Sequence, residues 1–207
     1  PAIGAFVYLY HHFYSRENIS SISEGIKGVV NTNYETKKLE KELDFSDTVT
    51  NKTKLADKYY SLGRLEDAKQ LYESCRETIN KNNPEIIQKL IRVYFALKEY
   101  EKVISYSKII EKKAEFIDSH ENIMLAWSYF NTDEIEAARN EFKKMDGLFC
   151  NYNNRLEYAK FLDKINEKEE AIAKAEQLLG EINQMNSQEK KGKKSVYKEI
   201  KQLHSEL

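Results

Sequence analysis

The strongest constraint on the fold is a pattern of small and aromatic residues that recurs along the chain at a nearly fixed period. The small residue that opens the second half of each copy falls at Ala68, Val103, Ala138 and Ala171. The intervals are 35, 35 and 33 residues (103−68, 138−103 and 171−138). A period of this length accommodates two helices and two short turns per copy. The sequence therefore predicts an all-α chain built from repeated helix pairs.

The first copy has, at seven spaced positions, a leucine followed by small or aromatic residues. These residues are Leu55, Ala56, Tyr59, Gly63, Ala68, Tyr72 and Cys75. With them and with this period the chain resembles the tetratricopeptide repeat (TPR), in which small residues let the two helices of one repeat pack closely. The resemblance covers residues 48–184 and is weakest in the fourth copy. It implies a right-handed α–α superhelix, a TPR solenoid of about four helix pairs with a C-terminal capping helix.

Segment boundaries follow from the repeats and from the composition of the flanks. The predicted repeats are residues 48–81, 83–116, 118–149 and 151–184. The predicted flanking segments are an apolar segment (1–14), a linker (15–33), a short leading helix (34–46) and the capping helix (188–207). Only 7 Gly and 2 Pro occur in 207 residues, which favours long helices over loop-rich β structure.

Three helix starts are predicted from capping patterns. Asn83 precedes Pro84, and proline is well tolerated at the first helical position. Asp118 and Asp133 are each followed three residues later by Glu, as in a capping box. We therefore predict that Asn83, Asp118 and Asp133 are N-caps.

The run Ala2–Tyr10 is apolar and uncharged, and an aromatic, basic stretch ending at Arg16 follows it. An aromatic and basic stretch after an apolar run is typical of a membrane–water interface, although a membrane-spanning helix needs about 20 apolar residues. A second resemblance is carried by Pro1, Gly4 and Tyr8. They are similar to the end of the N-terminal membrane segment of phospholipase D nucleases and cardiolipin synthases, which also precedes TPRs in bacterial proteins. Residues 1–14 are therefore predicted to end a membrane anchor; the open alternative is a helix packed on the solenoid.

Localisation is predicted from charge and cysteine content. Arg16, Lys27, Lys37 and Lys38 follow the apolar run, so the repeats are expected on the cytoplasmic side of the bacterial inner membrane if that run spans it. The alternative is a soluble cytoplasmic protein. The two cysteines form no CxxC pair, which fits a reducing compartment.

Sequence patterns of catalysis and metal binding are missing. The chain has no Gly-rich phosphate loop, no HExxH and no GxSxG, and it contains only 4 His. Its carboxylates alternate with lysines, as on the solvated face of a helix. We therefore predict no enzyme activity, no cofactor and no metal site.

The TPR resemblance also implies a binding site, because in that family the first helix of each pair lines a concave groove. The residues expected in the groove are Tyr60, Gln88, Arg92, Phe95, Ile123, Trp127, Phe130 and Lys160. Trp127 is the only Trp, and together with Arg92 it has the composition of a binding hot spot. We therefore expect a non-catalytic scaffold or adaptor that holds a protein or peptide segment. The open alternative is that Trp127 only packs between repeats.

A local basic patch lies near the C-terminus of a chain whose net charge is −1. The patch consists of Lys190, Lys191, Lys193 and Lys194. Lysines near a membrane attract anionic headgroups, so a second hypothesis is an accessory subunit of a membrane phospholipid enzyme. Nucleic acid is not an expected partner, because only Tyr197 is interleaved for base stacking. The alternative is a solvated face of the capping helix.

Overall fold

The fold is entirely helical in the computed structural model, which describes residues 25–78, 81–112, 116 and 119–207. These ranges contain ten α-helices and no strand, as predicted. The helices are α1 (Gly25–Phe45), α2 (Val49–Ser61), α3 (Leu65–Thr78), α4 (Pro84–Ala96), α5 (Tyr100–Ile110), α6 (His120–Asn131), α7 (Ile135–Lys144), α8 (Tyr152–Lys164), α9 (Lys168–Gln184) and α10 (Ser187–Glu206).

Consecutive helices pack as hairpins: α2 with α3, α4 with α5, α6 with α7 and α8 with α9. The first helices of neighbouring pairs also touch, α4 with α6 and α6 with α8. Helix α10 packs on α8 and α9, and α1 packs on α2. The prediction of an α–α superhelix with four helix pairs and a C-terminal helix is confirmed.

The recurring small residues all lie in the core of the helix array. Ala68, Val103, Ala138 and Ala171 are all fully buried. A larger side chain at these points would push the helices apart, because a close-packed interior has no room for added methylenes. The residues that recur in the sequence are therefore also residues of the core.

The turn inside each pair has the same left-handed backbone. Gly63, Lys98, Asp133 and Asn166 have φ values of 74°, 63°, 62° and 64°. In each turn the next N–H bonds to a carbonyl five residues back, as Arg64 N does to Tyr59 O at 2.9 Å. This is a Schellman motif, which favours glycine because a β-carbon is disfavoured at positive φ. Only the first repeat has glycine at this position.

The capping predictions have mixed outcomes. The Asn83 side chain accepts from the N–H three residues on at 3.2 Å, so this cap is confirmed. The prediction for Asp133 is wrong, because Asp133 is the left-handed turn residue before α7, and aspartate tolerates that conformation better than most residues. Asp118 lies outside the described residues, and Ser119 caps α6 by accepting from the N–H of Asn122 at 3.3 Å.

Helix α1 begins at Gly25, earlier than the predicted start at residue 34. Ile26, Val29 and Val30 continue the helical spacing, and a glycine inside a helix costs only about 1 kcal/mol. The first part of the predicted linker and the apolar segment 1–14 lie outside the described residues. Within the part of the chain that is described, no helix is long and apolar enough to cross a membrane.

Replacing Lys98 with Gly is expected to raise the free energy of unfolding by about 0.5–1 kcal/mol. It relieves the left-handed lysine, and the greater freedom of glycine in the unfolded chain offsets part of that gain. Urea unfolding of the full chain measures the change. The matched control is Gly63→Ala, which should destabilise although its β-carbon would meet no atom within 4 Å. Destabilisation by Lys98→Gly would contradict the strain argument.

Candidate functional site

Polar contacts join the first helices of successive repeats. The three contacts are Lys89 Nζ to Asp57 Oδ1 at 2.7 Å, Arg92 Nε to Glu121 Oε1, and Trp127 Nε1 to Glu157 Oε2 at 3.0 Å. Asp57, Arg92 and Trp127 occupy equivalent positions at intervals of 35 residues (92−57 and 127−92). The residue at this groove position is therefore bonded to the following repeat.

Two of the partner carboxylates are buried in the wall of the array. Glu121 is 2% exposed and Glu157 is 3% exposed. A buried charge is tolerated only when it is paired and hydrogen-bonded. Arg92 satisfies Glu121, while Glu157 accepts from Trp127 and also from Lys160 Nζ at 2.6 Å. These acids hold the side chains of Arg92, Trp127 and Lys160 in place.

The inner side of Trp127 packs into an aromatic cluster. Its ring makes edge contacts with Phe130 and Phe142, each at a centroid distance of 5.5 Å, and with Phe161 at 6.4 Å. The side chain is only half-buried, so part of the indole remains accessible next to half-buried Phe130. Trp127 therefore packs between repeats and also contributes surface.

The structure separates the eight predicted groove residues into two groups. Tyr60, Phe95 and Ile123 are buried and belong to the core. The other five keep accessible surface, and we call them the groove surface: Gln88, Arg92, Trp127, Phe130 and Lys160. The Arg92 side chain is the most accessible of the ion-paired members, at 45% exposed. The groove surface combines two cations, one amide and two aromatic rings.

The residues beneath this surface could not be recognised from the sequence pattern. Glu121 resembled a capping residue, and Glu157 was one of 34 acidic residues without a distinguishing mark. A usable signal does exist: a polar partner follows Asp57, Arg92 and Trp127 by 32, 29 and 30 residues (89−57, 121−92 and 157−127). That spacing is slightly shorter than the repeat, as expected for contacts between adjacent first helices.

His120 lies beside the groove surface at the start of α6. Burial is the main cause that lowers its pKa, and Arg92 acts in the same direction, while Glu121 and Glu157 partly oppose the change. The surroundings of His120 therefore favour the neutral form of its imidazole. Among the described residues, no group of three or more His, Cys, Asp or Glu is arranged to hold a metal.

Stability is expected to decline as the pH falls below the ordinary histidine pKa of 6.5. The folded state lowers the pKa of His120, so below pH 6.5 the unfolded chain binds the proton more strongly than the folded chain. Urea unfolding across this pH range should show a slope that His120→Gln reduces. His204→Gln is the control, because His204 lies near the C-terminal end of α10, with Nε2 3.5 Å from Glu176 Oε1 of α9. An unchanged slope in His120→Gln would contradict the assignment.

The other predicted contact residues lie outside the groove surface. Lys190, Lys191 and Lys194 are exposed on α10, and Lys193 Nζ lies 5.5 Å from the ring centroid of Tyr152. The structure therefore brings the basic patch close to the start of α8.

Two solved structures are similar to this chain in fold. A crystal structure of MamA has a TM-score of 0.62 and 17% identity, and the match covers 84% of this chain and 98% of that one. A Podospora anserina putative kinesin light chain with nearly identical TPR-like repeats has a TM-score of 0.56 and 15% identity, covering 76% and 87%. No protein-family model matches the sequence, and no curated protein matches it. The chain is thus a TPR-like helical solenoid.

Proposed function

We propose that this chain is a protein-binding scaffold whose groove surface holds a segment of a partner protein. The observation that carries the proposal is the accessible set of Arg92, Trp127 and Phe130, held in place by buried carboxylates. Exposed aromatic and arginine side chains on a rigid support are the usual anchors of protein interfaces. The likeness to TPR-like structures is consistent with this role.

The groove surface also indicates the chemistry of the segment. Arg92 and Lys160 lie on either side of the Trp127–Phe130 ring pair along the array, while Glu121 and Glu157 are turned inward and paired. A segment with an apolar side chain for the rings and a carboxylate for a cation would match this arrangement. The proposed partner is therefore a peptide segment with apolar and acidic residues.

Rigidity favours binding at this place. The buried acids and the aromatic cluster fix the side chains before a partner arrives, so little rotamer entropy remains to be lost on association. Substitutions that test binding should preserve these supports. Arg92→Ala is a poor choice, because it would leave Glu121 buried without its cation.

The test is selection of random peptides against the full chain, followed by affinity measurement with the double variant Arg92→Lys/Phe130→Leu. This variant keeps a cation for Glu121 and an apolar side chain, but it removes the guanidinium fork and one ring. Affinity is expected to fall about 10-fold or more, the range typical of a hot spot. The matched control is Arg64→Lys/Phe45→Leu, in which both side chains are exposed outside the groove surface. Equal effects of the two variants would refute the proposal.

Membrane tethering through residues 1–14 is a separate proposal, supported only by the uncharged apolar run and the basic exit at Arg16. It would place the scaffold on the cytoplasmic face of a bacterial inner membrane. Val7→Glu/Leu9→Glu should shift the full-length protein from the membrane fraction to the soluble fraction. An unchanged distribution would favour the soluble alternative. No contact among the described residues points to a phospholipid enzyme as partner, and we do not propose one.

A further inference from the structure

Two large apolar side chains are exposed at the loop between α7 and α8. Leu148 is 65% exposed and Phe149 is 58% exposed. Phe149 also has a φ of 58°, a left-handed conformation that bulky residues rarely adopt. Exposed apolar surface and a strained backbone both oppose stability. Strain that persists in a fold often marks a functional position.

The loop is held from below by a buried carboxylate. The Phe149 N–H donates to Glu181 Oε2 at 2.9 Å, and the Tyr152 hydroxyl donates to the same oxygen at 3.1 Å. Glu181 is itself fixed by a bidentate contact with buried Arg155, at 2.6 and 2.7 Å. The exposed position of the Phe149 ring is therefore supported by the core beneath it.

The acids near this loop are neutralised within the fold. Arg155 Nε donates to Asp146 Oδ1 at 3.0 Å, and Lys174 Nζ donates to Asp146 Oδ2 at 2.5 Å. Arg155 and Lys174 balance Asp146 and Glu181, two cations against two anions. This network therefore adds no net negative charge to the surface around the loop.

Helix α10 carries four lysines near its start, and one of them, Lys193, contacts the residue that opens α8. Lys193 lies above the ring of Tyr152, whose hydroxyl shares Glu181 with Phe149. Lys190, Lys191 and Lys194 are exposed, and none has an acidic side chain of the described residues within ion-pair distance. Four other lysines of the chain, Lys52, Lys58, Lys69 and Lys89, each have an acidic partner at 2.6–2.8 Å.

We propose that these side chains form a site for the surface of an anionic lipid bilayer. The site, which we call the basic edge, consists of Leu148, Phe149, Lys190, Lys191, Lys193 and Lys194. Leu148 and Phe149 enter the boundary between headgroups and acyl chains, and the lysines contact lipid phosphates. The apolar pair favours a bilayer over nucleic acid, because Leu148 has no face on which a base can stack. The basic edge shares no residue with the groove surface, so either proposal can fail alone.

The first test is sedimentation of the full chain with vesicles of phosphatidylcholine alone and of phosphatidylcholine with phosphatidylserine. Binding that requires phosphatidylserine at about 0.1 M salt and is lost as the Debye length shortens in high salt is the expected result. The run Ala2–Tyr10 is uncharged, so its own binding would be similar for both vesicles. Equal binding to the two vesicles would overturn the proposal.

Substitutions locate the site. Gln at all four lysines of the basic edge should weaken binding to anionic vesicles about 100-fold or more, since each lysine near the surface contributes about fivefold. Leu148→Ser/Phe149→Ser should weaken it about tenfold. Two matched controls should bind normally: Phe45→Ser, which alters a phenylalanine that is 93% exposed, and Gln at four exposed lysines elsewhere, Lys54, Lys102, Lys108 and Lys112.

A spectroscopic variant tests insertion directly. Phe149→Trp should show a blue-shifted emission that brominated lipids quench when anionic vesicles are added, while half-buried Trp127 gives a constant background. Comparable losses in the control variants, or no emission shift in bound Phe149→Trp, would overturn the proposal. Tight binding of a short RNA that Leu148→Ser/Phe149→Ser leaves unchanged would likewise assign the lysines to nucleic acid.

Discussion

Replacing Arg155 with Met is expected to lower the free energy of unfolding by about 3–5 kcal/mol. Arg155 is fully buried and provides the cation for Glu181 and, together with Lys174, for Asp146. Removing one partner of a buried ion pair leaves a charge that the protein interior cannot solvate. The damage should spread to the loop between α7 and α8, because Glu181 also accepts from the Phe149 N–H.

Urea unfolding of the full chain measures this loss. The matched control is Arg64→Met, because Arg64 forms an exposed pair with Asp67 at 2.6 Å, and such pairs contribute less than about 1 kcal/mol. The double variant Arg155→Met/Glu181→Leu should recover part of the loss, since apolar residues can replace a buried ion pair at little cost. A loss below about 1 kcal/mol for Arg155→Met would show that water reaches Glu181.

Phe161→Ala is expected to cost about 3–5 kcal/mol, the usual range for deletion of a buried phenyl ring. The ring is fully buried on α8 and contacts Phe142 at a centroid distance of 5.0 Å and Phe130 at 5.9 Å. It therefore joins the fourth helix pair to the third. In a solenoid each repeat is stabilised mainly by its neighbours, so a cavity at this interface weakens their coupling.

Unfolding followed by Trp127 fluorescence and by circular dichroism tests this prediction. The two transitions should separate in Phe161→Ala, because the helix pairs on either side of the cavity no longer unfold together. Phe45→Ala is the control, because its ring is exposed and its loss should change stability by less than about 0.5 kcal/mol. Coincident transitions with a small loss of stability would contradict the proposed coupling.

The sequence by itself determined the repeat and the core. Ala68, Val103, Ala138 and Ala171 could be predicted to lie where two helices meet, because a periodic solenoid places the same residue type at the same point of every hairpin. The Asn83–Pro84 start was equally predictable, since a cap is a local contact within one turn of helix. Both the repeat period and the helix caps can be recognised from the order of residues in the sequence.

Only the tertiary structure decided which groove residues remain accessible. Ile123 and Trp127 share a helix face in the sequence pattern, yet in the folded array Ile123 is buried and part of the indole stays exposed. Asp133 shows the same limit: Asp followed by Glu fits a cap, and only the end of α6 shows that it is a turn residue. Burial depends on the neighbouring repeat, and a pattern within one repeat does not contain it.

The charged residues show most clearly the difference between what the sequence predicts and what only the tertiary structure determines. Arg155 looks like one cation among 33, and nothing along the chain indicates that it is buried against two carboxylates. Leu148 and Phe149 look like core residues, but the loop that Glu181 supports turns them outward. The physical reason is the distance along the sequence over which each interaction acts. The repeat of apolar residues and the helix caps involve residues within one hairpin. The pairing of buried charges joins Arg155 to residues 9 and 26 positions away, and only folding brings them together.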